Sequence, residues 1–386
     1  MLLHDYTLPH LFSRRGSTAM TIVSIGLVVF VFVAAIMLSS GLEETLTATG
    51  SPQNVLVVRS GADNEIQSGI SREQLAIVLA EPEVERRGSE PFATRDVVAI
   101  VALKKRNGGE PSNVNIRGSS GFALALRDAV KVVEGRPPSS GTREVMVGRA
   151  IHAKFAGTGI GESLRIVGTN WPIVGIFDSG KSAFNSEVWA DGDVVMPAFR
   201  REQYSSGTFR LRPAADLEAM QARVAKDPRL NLWLKRENEF YADQSETLAT
   251  FILTLGSVIS VIFGMGAVVA AAITMYSAVA ARTREIGILR ALGFSRRQIF
   301  TAFACECLGI AFLGGVLGVL LASLTEVLEV STANFQTFAE IAFSFDLTVT
   351  AVVAGMLFAL AMGLIGGALP AFRAARLDIL QALRAP

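Results

Sequence analysis

Gly175-Ile176-Phe177-Asp178-Ser179-Gly180-Lys181-Ser182 fits G-x-x-x-x-G-K-[ST], a loop whose backbone amides cradle phosphates while the lysine reaches the outermost ones. It follows Ile173 to Phe177, which reads as a strand, as that chemistry requires. The mechanism also needs a long helix whose N-terminus faces the phosphates. Ala183 to Asp193 instead carries Asn185, Ser186, Val188, Trp189 and Gly192, the pattern of a turn and another strand, and no second acidic strand follows. Gly175, Gly180, Lys181 and Ser182 are therefore read as a coincidental match, with no nucleotide-binding residues assigned. Other catalytic sets are missing. Of His4, His10 and His152 only the last lies between residues 43 and 246, which rules out a histidine metal site there and leaves His152 a structural role. No G-x-S-x-G elbow occurs. The carboxylates are scattered and read as solvating groups, so no catalytic residue and no metal ligand is predicted.

Positioning any functional group here is a membrane problem. Half of the 386 residues are hydrophobic and the mean hydropathy is positive. The apolar residues collect in runs at 16–42, 247–281, 299–325 and 347–372, the third broken only by Glu306. Each is long enough to span a bilayer. The first is too long for a signal-peptide core and lacks a cleavage site, so it reads as a retained span. The second, taken as one helix, would be roughly 50 Å long against a hydrocarbon core of about 30 Å. It should project beyond the bilayer. Cys305 and Cys307 both lie in the third run, so residues 43–246 hold no disulfide. Two positions apart on a helix, the two thiols point in different directions and read as packing residues. Gly314 with Gly318, and Gly363 with Gly367, form G-x-x-x-G pairs that would let spans approach closely.

Arginine placement sets the orientation. Arg14 and Arg15 precede the first span, Arg282, Arg284, Arg290, Arg296 and Arg297 lie between the second and third, and Arg373, Arg376 and Arg384 follow the fourth. Residues 326–346 have no lysine or arginine and carry Glu326, Glu329, Glu340 and Asp346. The segments 1–15, 282–298 and 373–386 are therefore predicted cytoplasmic, and 43–246 and 326–346 outside. That also puts the Gly175 loop away from the ATP pool. A net charge of +1 gives no reason to expect a nucleic-acid partner.

The fold class predicted is four transmembrane α-helices with a large α+β extracytoplasmic domain between the first and second, of a length that accommodates two subdomains. Strands are expected at 54–58, 96–103, 131–133, 144–147, 164–167, 173–177, 209–211 and 230–234. Ser71 with Gln74 predicts a capped helix through Leu79, and 214–225 has helical spacing.

Between the second and third spans, Ile288, Leu289 and Leu292 form an apolar face, Arg282, Arg284 and Glu285 supply charge, Gly293 stops the helix and Ser295 with Gln298 caps the next. On physical grounds alone this is an amphipathic helix for a partner or for the lipid surface. The run from Arg282 through Gly287, Arg290, Ala291 and Gly293 to Ser295 resembles the coupling segment of MacB-type permeases of ABC transporters, whose superfamily includes FtsX. Arg14-Arg15 with Thr21 to Gly26, Glu306, and Pro370-Ala371 with Arg373 to Asp378 resemble other parts of that family. Glu134 to Arg136, Gly148 and Val174 to Phe177 resemble its periplasmic core domain, and Tyr241 to Gln244 the approach to its second span. Ile379 and Gln381 depart from its C-terminal pattern of proline and glutamate.

The resemblance implies a non-catalytic permease subunit in a bacterial inner membrane, paired with a second permease copy or paralogue and bound to two cytoplasmic ABC ATPase subunits that use ATP and Mg. No cofactor is bound directly. A periplasmic adaptor or outer-membrane channel is left open as a further partner. Arg282, Arg284, Glu285, Gly287, Arg290, Ala291 and Gly293 are the expected ATPase-coupling residues, and Glu306 is an intramembrane candidate that fits a functional or a structural role equally. The function expected is mechanotransmission for export or extraction of a substrate, the alternative being an FtsX-like scaffold that regulates a cell-wall hydrolase.

Overall fold

The computed structural model describes residues 15–106, 108, 110–213, 215–333, 339–379 and 382. Arg14, His4, His10, Gln381 and Arg384 lie outside them. The chain divides into two compact units, one holding residues up to Ser40, Thr250–Leu328 and those from Phe345 on, the other Gly41–Ala249 with Glu329–Ser344.

Among the described residues, four helices are long and apolar enough to cross a membrane. They are α1 (Arg15–Thr47) and three whose numbers follow from chain order below. The sheet-forming unit runs β1 (Asn54–Arg59), α2 (Arg72–Leu79), the two-residue strands β2 (Arg86–Arg87) and β3 (Glu90–Pro91), β4 (Ala93–Leu103), β5 (Ser112–Gly121), α3 (Ala123–Leu126), β6 (Lys131–Gly135), β7 (Val145–Gly148), α4 (Arg149–Lys154), β8 (Ser163–Ile166) and β9 (Thr169–Asp178). A 3₁₀ turn at Ala183–Ser186, β10 (Glu187–Asp191), α5 (Gly192–Ala198), β11 (Ser206–Arg210), α6 (Leu217–Lys226) and β12 (Leu232–Arg236) follow. The remaining elements are α7 (Glu237–Ala281), α8 (Thr283–Ala291), α9 (Arg296–Ser323), the hairpin β13 (Glu329–Ala333) and β14 (Glu340–Ser344), and α10 (Val349–Ala375).

One ten-stranded sheet organises the domain between the first two spans, in the order β12-β1-β11-β4-β5-β10-β7-β9-β6, with β8 also on β9. The pairs β5–β10 and β7–β9 are parallel and their neighbours antiparallel. Buried Val55, Val57, Val97, Ile116, Val147, Trp171, Ile176, Val188 and Phe209 form its core with α2 and α6. Ser71 and Gln74 exchange the expected capping-box bonds at the start of α2.

The sequence pattern did not predict β5, which reads Ser-Asn-Val-Asn-Ile-Arg-Gly-Ser-Ser-Gly and lacks a branched run. It pairs along its whole length with β4, and its small residues answer to packing. A methyl on Gly118 would lie 2.6 Å from Val195 of α5. The strand expected through residue 167 ends at Ile166, because Val167 and Gly168 turn the β8–β9 hairpin with φ of 46° and 76°. Residues 326–346, expected as a loop, contain the β13–β14 hairpin, whose Ala342 amide bonds to Ser186 and whose Glu340 pairs with Lys105 at 2.8 Å.

In the helical unit, close approach is set by small residues. Methyls on Gly314 and Gly318 would meet Ile25, Val29 and the Gly26 carbonyl of α1, and methyls on Gly363 and Gly367 would meet Ala311 and Cys307 of α9. Both G-x-x-x-G pairs thus face a neighbouring span. Thr21 and Thr274 hydrogen-bond across α1 and α7 at 2.9 Å. The thiols diverge as their spacing required, Cys305 exposed and Cys307 buried.

Candidate functional site

Helix α8 is bracketed by stereochemistry its sequence dictates. Arg282 interrupts the helical path between α7 and α8, with φ −107° and ψ 13°. At the other end Gly293 takes φ of 97°, a conformation that favours glycine, and the Phe294 amide bonds back to the Leu289 carbonyl. Arg290 donates to the Phe294 carbonyl at 3.1 Å, and Ser295 with Gln298 caps α9 in a reciprocal box.

The expected coupling residues divide between two faces. Arg284, Glu285, Ala291 and Gly293 are exposed, whereas Gly287 is buried and Arg282 and Arg290 are partly so. The expected apolar face also splits. Leu289 joins Ile286 against Met275, Val279, Ile299, Phe303, Ala371 and Ala374, while Ile288 and Leu292 point outward, Leu292 being 73% exposed. Arg284, Ile288 and Leu292, spaced four apart, form one stripe on the open surface. Glu306 is not alone in its span, since Arg282 donates to both of its oxygens at 3.1 and 3.4 Å.

The Gly175 loop has the geometry of a strand end. Gly175 lies inside β9, where a methyl would strike the Arg136 carbonyl, and Gly180 has φ of 63°. Ser182 accepts from the Phe184 amide and so caps the four-residue 3₁₀ turn, after which the chain enters β10. Lys181 reaches Glu44 at 2.8 and 2.9 Å. A phosphate-binding loop needs a helix of several turns at this point.

Sequence reasoning missed a buried charge network, and its assignment of the carboxylates to solvation was wrong for Glu65, Asp96, Glu187 and Glu237. Arg117 of β5, 1% exposed, donates to Glu65 at 2.7 and 2.8 Å, to Glu187 at 2.8 and 3.0 Å and to Asp96 at 3.3 Å. Arg127 donates to Asp96 at 2.6 Å and to Glu237 at 3.4 Å. Tyr241 and Ser206 donate to Glu65, Trp189 to Glu187, and Asn54 to Glu237. The Phe184 ring lies under both guanidinium groups at 5.1 and 4.9 Å.

Burial alone would raise the Glu65 carboxyl, yet the Arg117 guanidinium outweighs it and holds the group below its ordinary value. Burial likewise opposes, and Arg127 and Arg117 together overcome, at Asp96, which is also held low. Both guanidiniums are pushed up by their carboxylates against the opposing effect of burial. Because Glu237 and Tyr241 open α7, the network fastens that helix's first turns to β4, β5 and β10. The signal available in sequence was weak. Arg117 shares its strand face with the polar Asn113, Asn115 and Ser119, and no spacing pairs it with residues 52 and 70 positions away.

Four apolar helices, a mixed-sheet domain inserted between the first and second, and an amphipathic helix displayed between the second and third define a multi-pass membrane permease. Residues 18–227 match the MacB-like periplasmic core domain and 257–379 the FtsX-like permease C-terminal region. The chain belongs to the family of ABC transporter permeases that these two regions define. It is 26% identical over 234 residues to the uncharacterized ABC transporter permease YknZ of Bacillus subtilis (strain 168), covering 58% of this chain and 57% of that one. It is 26% identical over 409 residues to the macrolide export ATP-binding/permease protein MacB of Hahella chejuensis (strain KCTC 2396), covering 96% of this chain and 58% of that protein. It thus spans less than two thirds of the length of these relatives. Among solved structures, the periplasmic region of MacB from Actinobacillus actinomycetemcomitans is similar with a TM-score of 0.38 and 10% identity, covering 51% of this chain and 94% of that one.

Proposed function

We propose that this chain is the transmembrane subunit of an ATP-driven transporter, in which a separate cytoplasmic ABC ATPase, using ATP and Mg, drives α8 and the movement passes through α7 to the inter-span domain. The observation that carries this reading is the open stripe of Arg284, Ile288 and Leu292 with Glu285 beside it, on a helix whose opposite face is packed into the span ends. Such a surface supports a protein partner, since half-exposed apolar side chains flanked by charge match a helix laid in a groove. Arginines flanking the span ends support a cytoplasmic α8 and cytoplasmic termini.

The macrolide export for which the Hahella chejuensis relative is named supports export or extraction of a substrate as the work done. A second permease copy or paralogue and two ATPase copies complete the assembly in this reading, with a periplasmic adaptor or outer-membrane channel as an added component. Gentle purification followed by identification of co-purifying chains tests it. An ABC ATPase should accompany the wild-type chain, and Ile288→Asp with Leu292→Asp should release it. A cell-wall hydrolase in place of a transport substrate would point to the scaffold role, and no associated ATPase would reject the reading.

A further inference from the structure

The end of α7, helix α8 and the start of α9 form a nearly closed triangle. At one corner a single non-helical residue, Arg282, separates α7 from α8. Its amide still bonds to the Val279 carbonyl and its carbonyl still accepts from Ile286, while Thr283 Oγ1 donates to the carbonyls of Val279 and Ala280. The backbone leaves the helical path at one residue while keeping its polar groups bonded, the geometry of a hinge. At the second corner Gly293 and the Ser295–Gln298 box join α8 to α9.

The third side is closed by a side chain. The guanidinium of that same hinge residue crosses to Glu306 of α9, bonding to both carboxylate oxygens, with side chains 13% and 6% exposed. A carboxylate among apolar residues of a span is costly unless paired. Next to it, Cys307 is buried in a cluster with Met275, Val279, Phe303 and Ala371, so the pair sits where α7, α9 and α10 meet.

We propose that Arg282 and Glu306 are positioning residues whose ion pair pins the hinge between the second span and α8 to the third span. A push on α8 then moves α7 and α9 together. Arg282 acts through Glu306 and is removed from the docking surface. This inference rests on the transporter reading, in which a partner ATPase pushes α8.

The test uses the full chain in lipid nanodiscs, carrying Glu306→Gln, Arg282→Gln, or the reversal Arg282→Glu with Glu306→Arg. In a background with Cys305→Ser and Cys307→Ala, spin labels at Ile288→Cys and Thr301→Cys report the spacing of α8 and α9. The wild-type pair should give one narrow distance distribution, each single variant a broad one, and the reversal a narrow one again. With the co-purifying ATPase bound to chains carrying no spin labels, the single variants should keep the complex but lose about five-fold or more of the stimulated ATP turnover, Arg282→Gln, which strands the carboxylate, also lowering the melting temperature more than Glu306→Gln. The reversal should regain much of that turnover. Unchanged distributions in the single variants, or a reversal as broad and as inactive as either of them, would overturn the pin. If the wild-type chain retains no ATPase while the distances behave as described, the transporter reading fails and the pin stands.

Discussion

Among individual side chains, the buried network around Arg117 has the largest energetic consequence. Two guanidiniums face Glu65, Asp96, Glu187 and Glu237, so deleting one cation strands several buried carboxylates. Arg117→Ala should destabilise the protein by about 3 to 5 kcal/mol, read from denaturant unfolding of the purified chain in detergent. The same measurement across pH tests the carboxylates. Because Glu65 and Asp96 titrate lower in the folded chain than their ordinary 4.5 and 3.8, the unfolded state binds more protons in acid. Their contribution is complete above those values and drains away as pH falls below them. A stability flat from pH 6 down to pH 3 would contradict the arrangement. None of this was legible in the sequence, where the partners are dispersed and a carboxylate in a loop reads as a solvated one. Lys181 failed in the other direction, since a literal motif stood where the backbone has only a 3₁₀ turn.

Elements were legible in proportion to how strongly hydropathy marks them. All four apolar runs are helical in the structure, but α7 begins at Glu237 and α1 reaches Thr47, because polar turns without glycine or proline extend a helix silently. Helix α8 was recognisable from its stop glycine and the following cap, yet the side facing the spans was not. Ile286 and Leu289 pack inward while Ile288 and Leu292 stay open, a division decided by three separate helices and not by α8 itself. Strand β5 was missed because Gly118 serves packing against α5, not strand propensity. Helix contacts offer a direct check. A Cβ on Gly318 would lie 2.6 Å from the Gly26 carbonyl and 2.7 Å from Val29, whereas Gly309 of the same helix has nothing within 4 Å. Gly318→Val should cost about 1 to 3 kcal/mol and lower the melting temperature of the purified chain. Gly309→Ala should leave it unchanged or raise it slightly. Equal effects would show that small residues do not set this packing.

For the chain taken entire, the governing feature is α7, a helix of 45 residues and about 67 Å that begins in the Arg117 network and ends at the Arg282 hinge. Each end is held by an ion pair, the buried Glu237 with Arg127 at the first and the partly buried Arg282 with Glu306 at the last. Composition and the placing of the apolar runs were enough to foresee the class of architecture, because the bilayer allows few solutions. The joints at each end arise from tertiary proximity and needed coordinates. Everything in the functional reading requires α8 to face the cytoplasm. In intact cells, with Cys305→Ser and Cys307→Ala in place, a membrane-impermeant maleimide should leave Leu292→Cys unlabelled until the membrane is permeabilised. Labelling before permeabilisation would put α8 on the wrong side for any ATPase to grip.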